Sequence, residues 1–454
     1  MKNKNLKTND FYQEIMDDNL PPKDGSQFKP ITIDDLTEVL GLTIKRDETN
    51  KLITFLAQLS AFTKDSQVNI SFNAPSSTGK SFIPIEISKF FPAEDVVKVG
   101  YCSPTAFFHD HGVLDDEKKG YTVDLSGKIL IFLDQPHTLL LQHLRPLLSH
   151  DEKEINIKIT DKNQRSGLRT KNIRLIGYPS VTFCTVGLKL DEQEGTRFLL
   201  LSPQIDQEKI REAVHEKIKK EADSSAYDSF LESDPERIKL KERVSTIKEE
   251  GIGEIKIGNP KLLETMFFKK TKNLKPRHQR DIGRIISIVK VLALLNLWFR
   301  EREGNTLIAN EDDIREAYKI WDEISVSQEL NLPPYVFNLY KEIILEANRE
   351  KNSENVGGVK FGLTRQDILQ KHYKIYQRHL PEWQLRQQII PPLEASGLIT
   401  QEPDPNDKRR TLVYPTTPLT ISQARKYSES GGGVEETITA AERIFGVKAE
   451  LVEK

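Results

Sequence analysis

Cysteine is nearly missing: Cys102 and Cys184 are the two in 454 residues. So low a count excludes a disulfide framework and a four-cysteine zinc site. Long apolar runs are missing as well, since no stretch reaches the roughly 18 uninterrupted apolar residues of a membrane helix. The opening MKNKNLKTNDFYQE has no apolar core of the kind a secretory signal requires. The chain also lacks an excess of charge of either sign. Its 66 Lys and Arg face 68 Asp and Glu, for a net charge of -2. This excludes a uniformly basic nucleic-acid binder but not one whose basic residues are clustered. What remains is 37% hydrophobic and 30% charged, enough for real cores under a solvated surface. The expectation is a cytoplasmic protein of two or three domains with no membrane segment.

Residues 1–30 are polar, with Pro21, Pro22 and Gly25, and read as a disordered leader. Residues 31–66 carry apolar residues at helical spacing, with a helix start at Asp47-Glu48-Thr49-Asn50. Over 67–205, the short apolar runs VNISF, DVVKVG, KILIFLD, SVTFCTV and RFLLLS alternate with helical and loop segments. That alternation is the pattern of a mostly parallel sheet flanked by helices, hence an α/β core. Residues 206–330 read as a helical lid whose most apolar piece, Asp281 to Arg300, contains Arg284 and Lys290. Those charges favour a buried helix over a membrane span. Residues 331–418 form a further unit, and 419–454 a flexible tail with a short helix after Gly431-Gly432-Gly433.

The strongest motif is Ala74-Pro75-Ser76-Ser77-Thr78-Gly79-Lys80-Ser81, between the strand-like VNISF and the helical SFIPIEISKFF. It fits a phosphate-binding loop with Ala in place of the first glycine. In such a loop backbone N–H groups cradle phosphates, Lys80 reaches the β- and γ-phosphates, and the Ser81 hydroxyl holds Mg²⁺. A buried run ending in Asp134 supplies a second carboxylate for the metal, so ATP and Mg²⁺ are the expected ligands. Gln135 follows it; a neutral amide orients water but cannot take its proton. Slow hydrolysis, another carboxylate as base, or a Glu-to-Gln trap all remain open. Thr185, at the end of SVTFCT, is placed to sense the γ-phosphate or, as the bland alternative, simply ends a core strand. His109-Asp110-His111 has no partner cluster nearby for a metal, and Cys184 reads as buried and inert.

In this order the motifs resemble those of an AAA+ ATPase, most like the minichromosome-maintenance type of replicative helicase, over roughly Val68 to Leu295. Ser103-Pro-Thr-Ala-Phe-Phe and Gly120-Tyr-Thr-Val-Asp-Leu are similar to that family's helix-2 insert, and Leu144-Arg-Pro-Leu-Leu-Ser149 to the helix before its pre-sensor hairpin. Residues 153–174 hold seven basic and two acidic residues, with alternation in INIKIT and a turn at Asp161 to Gly167. The resemblance makes Lys162, Arg165, Arg169 and Lys171 DNA contacts in a central channel; otherwise this is a solvated hairpin. It also implies an arginine finger at Arg197, in Thr196-Arg197-Phe198, and a sensor-2 phosphate contact at Arg277, with Arg280 second. A finger needs an adjacent protomer, so the resemblance implies a homo-oligomeric ring, a hexamer by family expectation. Two departures stand out: Gln135, and the fact that residues 1–66 are too few for that family's N-terminal oligonucleotide-binding barrel.

From Pro334 three helical segments precede two strand-like runs around Asp404-Pro-Asn-Asp-Lys-Arg-Arg. This resembles a C-terminal winged helix, an α+β module that serves DNA or protein recognition. For DNA, Trp383, Gln384, Arg386 and Gln387 are the helix candidates, and Lys408, Arg409 and Arg410 the wing. The fold class expected is therefore α/β: an AAA+ P-loop core with a parallel sheet, a helical lid and a winged-helix domain. The function expected is an ATP-dependent DNA helicase or translocase in replication of a chromosome or mobile element, acting on single-stranded DNA in its channel and duplex through the winged helix. The alternative is a slow-hydrolysing, ATP-gated DNA-binding switch or helicase loader; a transcription regulator with an ATPase sensor stands behind both. The near-neutral total conceals three basic segments: 153–174, 269–284 with seven basic and one acidic residue, and 360–390 with six and two.

Overall fold

The computed structural model describes residues 25, 27–101, 103, 107, 112–115, 120–161, 169–186, 196–270, 274–353 and 361–416. At its centre is a five-stranded sheet built from β1 (Ile70–Asn73), β2 (Val96–Val99), β5 (Ile129–Phe132), β8 (Ser180–Thr185) and β9 (Leu199–Leu201). Its order is β2-β5-β8-β1-β9 and every pairing is parallel. Parallel strands require crossovers that cover both faces, which is why β1, β5, β8 and β9 are buried at every position, with only Ser, Thr and Asn as polar residues, while edge strand β2 is half-buried. The two-residue side-chain period still sorts them between two cores. Ile129 and Ile131 join one cluster with Ile70, Phe72, Cys184, Leu199 and Leu201. Leu130 and Phe132 join another with Val181, Phe183 and Phe198. The α/β reading therefore holds at this level.

Helices α1 (Ile33–Gly41) and α2 (Glu48–Leu59) belong to the first core. Residues 50–59 of α2 are all buried, polar ones included. Gln58 donates to the Pro84 carbonyl at 3.0 Å and Thr54 to the Asn50 carbonyl at 2.6 Å, so each buried donor is satisfied. Helix α3 (Phe82–Ser88) also lies in the first core, and helix α4 (Thr138–Leu148) in the second.

A second sheet was not foreseen as one unit. β3 (Val113–Asp115), β4 (Gly120–Asp124), β6 (Glu154–Asp161) and β7 (Arg169–Ile176) pair in the order β3-β4-β7-β6. The hairpin expected at 153–174 is there, with Asp161 opposite Arg169. Its partner β4 runs parallel to β7, and Gly120 is required because a Cβ there would stand 2.4 Å from the Asn172 carbonyl oxygen.

Two boundaries need correction. The leader does not extend to residue 30: Phe28 is buried, its ring 4.4 Å from that of Trp298, and the Arg243 guanidinium donates to the Lys29 carbonyl. An aromatic–aromatic contact of this kind outweighs the polar composition around it. The lid is not purely helical either. Alongside α5 (Gln207–Ala222), α6 (Ser224–Ser233), α7 (Pro235–Glu250), α8 (Pro260–Lys270), α9 (His278–Leu295) and α10 (Glu311–Glu329) it contains a small sheet of β10 (Glu254–Ile257), β11 (Glu301–Glu303) and β12 (Thr306–Ala309) in the order β10-β12-β11. Glu301–Glu303 and Thr306–Ala309 form its hairpin across Gly304-Asn305, a turn signal masked by the charged run around it.

The last unit has its own core. A continuous helical stretch over 334–352, with a π-helical turn at Tyr340–Leu345, is followed by α12 (Arg365–Tyr376), a helical stretch over 382–395, and the hairpin β13 (Ile399–Pro403) and β14 (Thr411–Pro415). Here 334–352 is α11 and 382–395 is α13. Thr364 and Asp367 close a capping box at the start of α12. Among the described residues no helix is long and apolar enough to cross a membrane.

Candidate nucleotide site

The motif 74–81 leaves the carboxyl end of β1, where open parallel sheets bind ligands. Ser77 (φ 65°) and Gly79 (φ 91°) both take left-handed backbone angles. Interspersed with right-handed residues, such angles turn successive N–H groups to one side and make an anion-binding concavity. Ser77 tolerates its angle at a cost; Gly79, further from the ordinary left-handed well, needs glycine. The loop is held from below. Ala74 N–H donates to the Thr185 carbonyl at 3.3 Å, Thr78 Oγ1 to the Pro75 carbonyl at 2.9 Å, and Phe82 and Ile83 N–H to the Gly79 carbonyl at 3.0 and 3.2 Å. Ser76 and Ser77 are exposed, and Lys80 and Ser81 partly so. Lys80 Nζ lies 3.5 Å from the Pro75 carbonyl oxygen, too long for a good charge-assisted bond. The lysine is lightly held.

Asp134 and Gln135 follow the carboxyl end of β5. They are not beside the loop directly, because β8 runs between β5 and β1. That interposed strand ends in Thr185, whose hydroxyl donates to Gln135 Oε1 at 3.2 Å. Asp134 is exposed and its Oδ1 accepts the Gln135 N–H at 2.8 Å. Ser81, Asp134, Gln135 and Thr185 thus share one end of the sheet. A serine hydroxyl and a carboxylate are hard oxygen donors of the kind Mg²⁺ takes with phosphate oxygens and water. Cys184 touches the loop, with Sγ 3.3 Å from the Lys80 carbonyl. Burial pushes its thiol up to about 11, so it is inert as expected.

Residues far away in sequence brace the loop, and no motif announced them. Lys209 Nζ lies 3.4 Å from the Thr78 carbonyl and forms an ion pair with buried Asp47. Asp47 Oδ1 accepts the Gln204 N–H at 2.8 Å, and the Asn50 amide reaches both Asp47 Oδ1 and the Ser202 carbonyl at 2.8 and 2.9 Å. Helix α2, the segment after β9 and the phosphate loop are so tied together.

The arginines lie elsewhere. Leu199 is level with Ile70, so Thr196 and Phe198 stand at the amino end of the sheet, opposite the loop. Arg284 is largely enclosed there, its side chain 12% exposed, donating to the Thr196 and Phe198 carbonyls at 2.7 and 2.9 Å; desolvation lowers it to about 10, partly opposed by Asp281. Arg280 is exposed and bonds the Thr196 hydroxyl. Arg197 Nε donates to Ser149 Oγ at 2.6 Å. Arg277 pairs with Asp281 at 3.1 Å and reaches the Glu329 carbonyl at 3.3 Å. These arginines do not join the phosphate loop of their own chain.

Of the proposed DNA contacts, Lys162 and Arg165 lie outside the described residues, and Arg169 and Lys171 fall on β7. His109, Asp110 and His111 also lie outside them, and among the described residues no cluster suits a metal ion. Arg386, Lys408, Arg409 and Arg410 are exposed, with Arg410 3.4 Å from Asp407. Gln384 is a correction: it is buried, not offered on a helix face, while Trp383 is 56% exposed.

No family model matches the chain. It is 22% identical over 336 residues, 68% of its length, to an uncharacterized protein of Methanothermobacter marburgensis. The chain spans 38% of the length of that protein.

Proposed function

We propose that the chain is a Mg²⁺-dependent ATPase of AAA+ type that moves DNA as a ring-shaped helicase or translocase, with its C-terminal unit acting as a winged helix. One observation carries the nucleotide reading: the left-handed turns at Ser77 and Gly79 present Lys80 and Ser81 at the same sheet end as Asp134 and Thr185. Lys80 would draw the β- and γ-phosphates, Ser81 and Asp134 would hold Mg²⁺, and Thr185 with Gln135 would position water. Arg197 and Arg277, away from their own chain's loop, suit contact with a neighbouring protomer's nucleotide, and hence a homo-oligomer. The exposed Arg386 and Lys408–Arg410 suit DNA phosphate, as does the basic hairpin.

The Thr185–Gln135 hydrogen bond favours a second reading. A neutral pair stands where a base would take the water's proton, which suits a slow ATP-gated DNA-binding switch or loader. Fork unwinding with ATP, run on the wild type, Lys80→Ala and Gln135→Glu, separates the two. The helicase reading expects unwinding that Lys80→Ala abolishes, with ATP turnover raised about tenfold or more by Gln135→Glu, as restoring a general base can do. ATP-dependent DNA binding without unwinding, even in Gln135→Glu, sinks the helicase and leaves the switch.

A further inference from the structure

The corner between α12 and α13 puts three rings on the surface of the C-terminal unit. Trp383, on the first turn of α13, is 56% exposed, and Tyr373, near the end of α12, is 45% exposed. His379, also exposed, stacks on Tyr373 with ring centroids 4.7 Å apart and planes 30° from parallel. Leu380, Pro381 and Glu382 separate His379 from Trp383, which keeps the two backbones within about 14 Å of each other. That is the reach of about four nucleotides of a stacked strand. Tyr376, on the same helix, shows what a packing ring does here: it lies against the core of the unit, and its hydroxyl donates to Glu342 at 2.6 Å. Trp383 and Tyr373 instead keep large apolar faces in water, the mark of a contact surface.

The same corner is basic. Residues 371–387 hold Lys371, Lys374, Arg378 and Arg386 against Glu382 alone. Glu382 is 3.6 Å from Arg365 and Lys371 is 2.6 Å from Glu350, so both are answered within the protein. Lys374, Arg378 and Arg386 are exposed and form no ion pair among the described residues. Arg386 stands one helical turn beyond Trp383, with exposed Gln387 next to it. Spare cations among exposed rings fit a polyanion that has flat apolar faces of its own. A single strand of nucleic acid is such a partner: its phosphates meet the cations, and every base has a π-face to lay on a ring. In a duplex those faces are covered by neighbouring bases, and a ring enters only by unstacking them.

We propose that the α12–α13 corner is a stacking platform for single-stranded DNA. Trp383 and the Tyr373–His379 pair take bases, and Lys374, Arg378 and Arg386 take phosphates. The proposal rests on the DNA reading above and narrows the substrate at this unit to unpaired bases. Phosphate contacts such as those of Lys408–Arg410 position a strand without reading its bases, whereas rings engage the bases themselves.

The test is binding of the full chain to three oligonucleotides of one length: an oligothymidine strand, an abasic strand and a duplex. Fluorescence anisotropy of the labelled DNA reads affinity. Quenching of tryptophan emission reads stacking, because Trp383 is exposed while Trp321 is buried and Trp298 partly so. Oligothymidine should quench the wild type and bind it more tightly than the duplex does. Trp383→Ala should bind oligothymidine about 5- to 150-fold more weakly, while Trp383→Phe, which keeps a ring, should stay within about threefold of the wild type. The abasic strand should bind the wild type and Trp383→Ala alike, since it offers phosphates and no faces. Unchanged emission, equal affinity of the wild type and Trp383→Ala for oligothymidine, or no preference for oligothymidine over the abasic strand overturns the platform. Each of these leaves the phosphate contacts standing and gives the exposed rings to a protein partner. A wild-type chain that binds none of the three overturns the DNA reading as well.

Discussion

The two ends of the central sheet treat their charged residues differently. At the carboxyl end Asp134 is exposed, Lys80 and Ser81 are half-exposed, and the lysine has only a 3.5 Å approach to a carbonyl. At the amino end Arg284 is largely enclosed and held by two carbonyls and Asp281, and Arg197 and Arg280 are each bonded to a hydroxyl. A charge kept for a ligand must be cheap to redirect, whereas one buried among fixed partners acts as a fastener. By this measure the carboxyl end is the working site and Arg284 is structural. Arg197 and Arg280 are intermediate, since a neighbouring phosphate could compete with a neutral hydroxyl for the guanidinium donor.

The largest effect that would sharpen this contrast is at Arg284. Arg284→Ala should cost about 3–5 kcal/mol in urea unfolding, because it leaves two carbonyls and part of Asp281 without their enclosed partner. The same substitution should leave ATP affinity of the folded protein unchanged; a stability loss below about 0.5 kcal/mol would break the contrast.

A smaller effect concerns His150, also at the amino end, where Nε2 meets Gln67 Oε1 at 3.1 Å and the ring stands 4.7 Å from that of Tyr178. Burial lowers its pKa, against the weaker pull of Asp65 and Asp151 and with a further lowering from Lys290. A lowered histidine is stabilised in its neutral form. Its contribution is therefore complete above about pH 6.5 and is lost as pH falls from there towards the folded value. His150→Gln should flatten the acid slope of unfolding free energy by at most about 1.4 kcal/mol per pH unit. An unchanged slope between about pH 6.5 and 5 would contradict this.

How much of this was legible in the sequence depended on contiguity. The phosphate loop lay within eight consecutive residues between a strand and a helix, and Phe82–Ser88 formed where SFIPIEIS suggested. Four of the five core strands stood out because strands buried on both faces carry few polar residues and no charges. Long-range pairings were not legible. Nothing local says that β8 enters between β5 and β1 and brings Thr185 onto Gln135, fifty residues away. The Asp47–Lys209 brace and the β4–β7 pairing share that character. Phe28 was hidden by polar neighbours, and β11 by the charges of Glu301-Arg302-Glu303. Gln384 was misread because an amide on a helix looks the same in sequence whether it faces solvent or a cavity.

The division between the two ends is tested most directly by Mg–ATP binding to the wild type, Lys80→Ala and Arg280→Ala. The wild type should bind and Lys80→Ala should bind about 10- to 100-fold more weakly, the worth of one charge-assisted contact, with Arg280→Ala like the wild type. Equal affinity in the wild type and Lys80→Ala, or the larger loss in Arg280→Ala, would contradict a nucleotide site at the carboxyl end of β1.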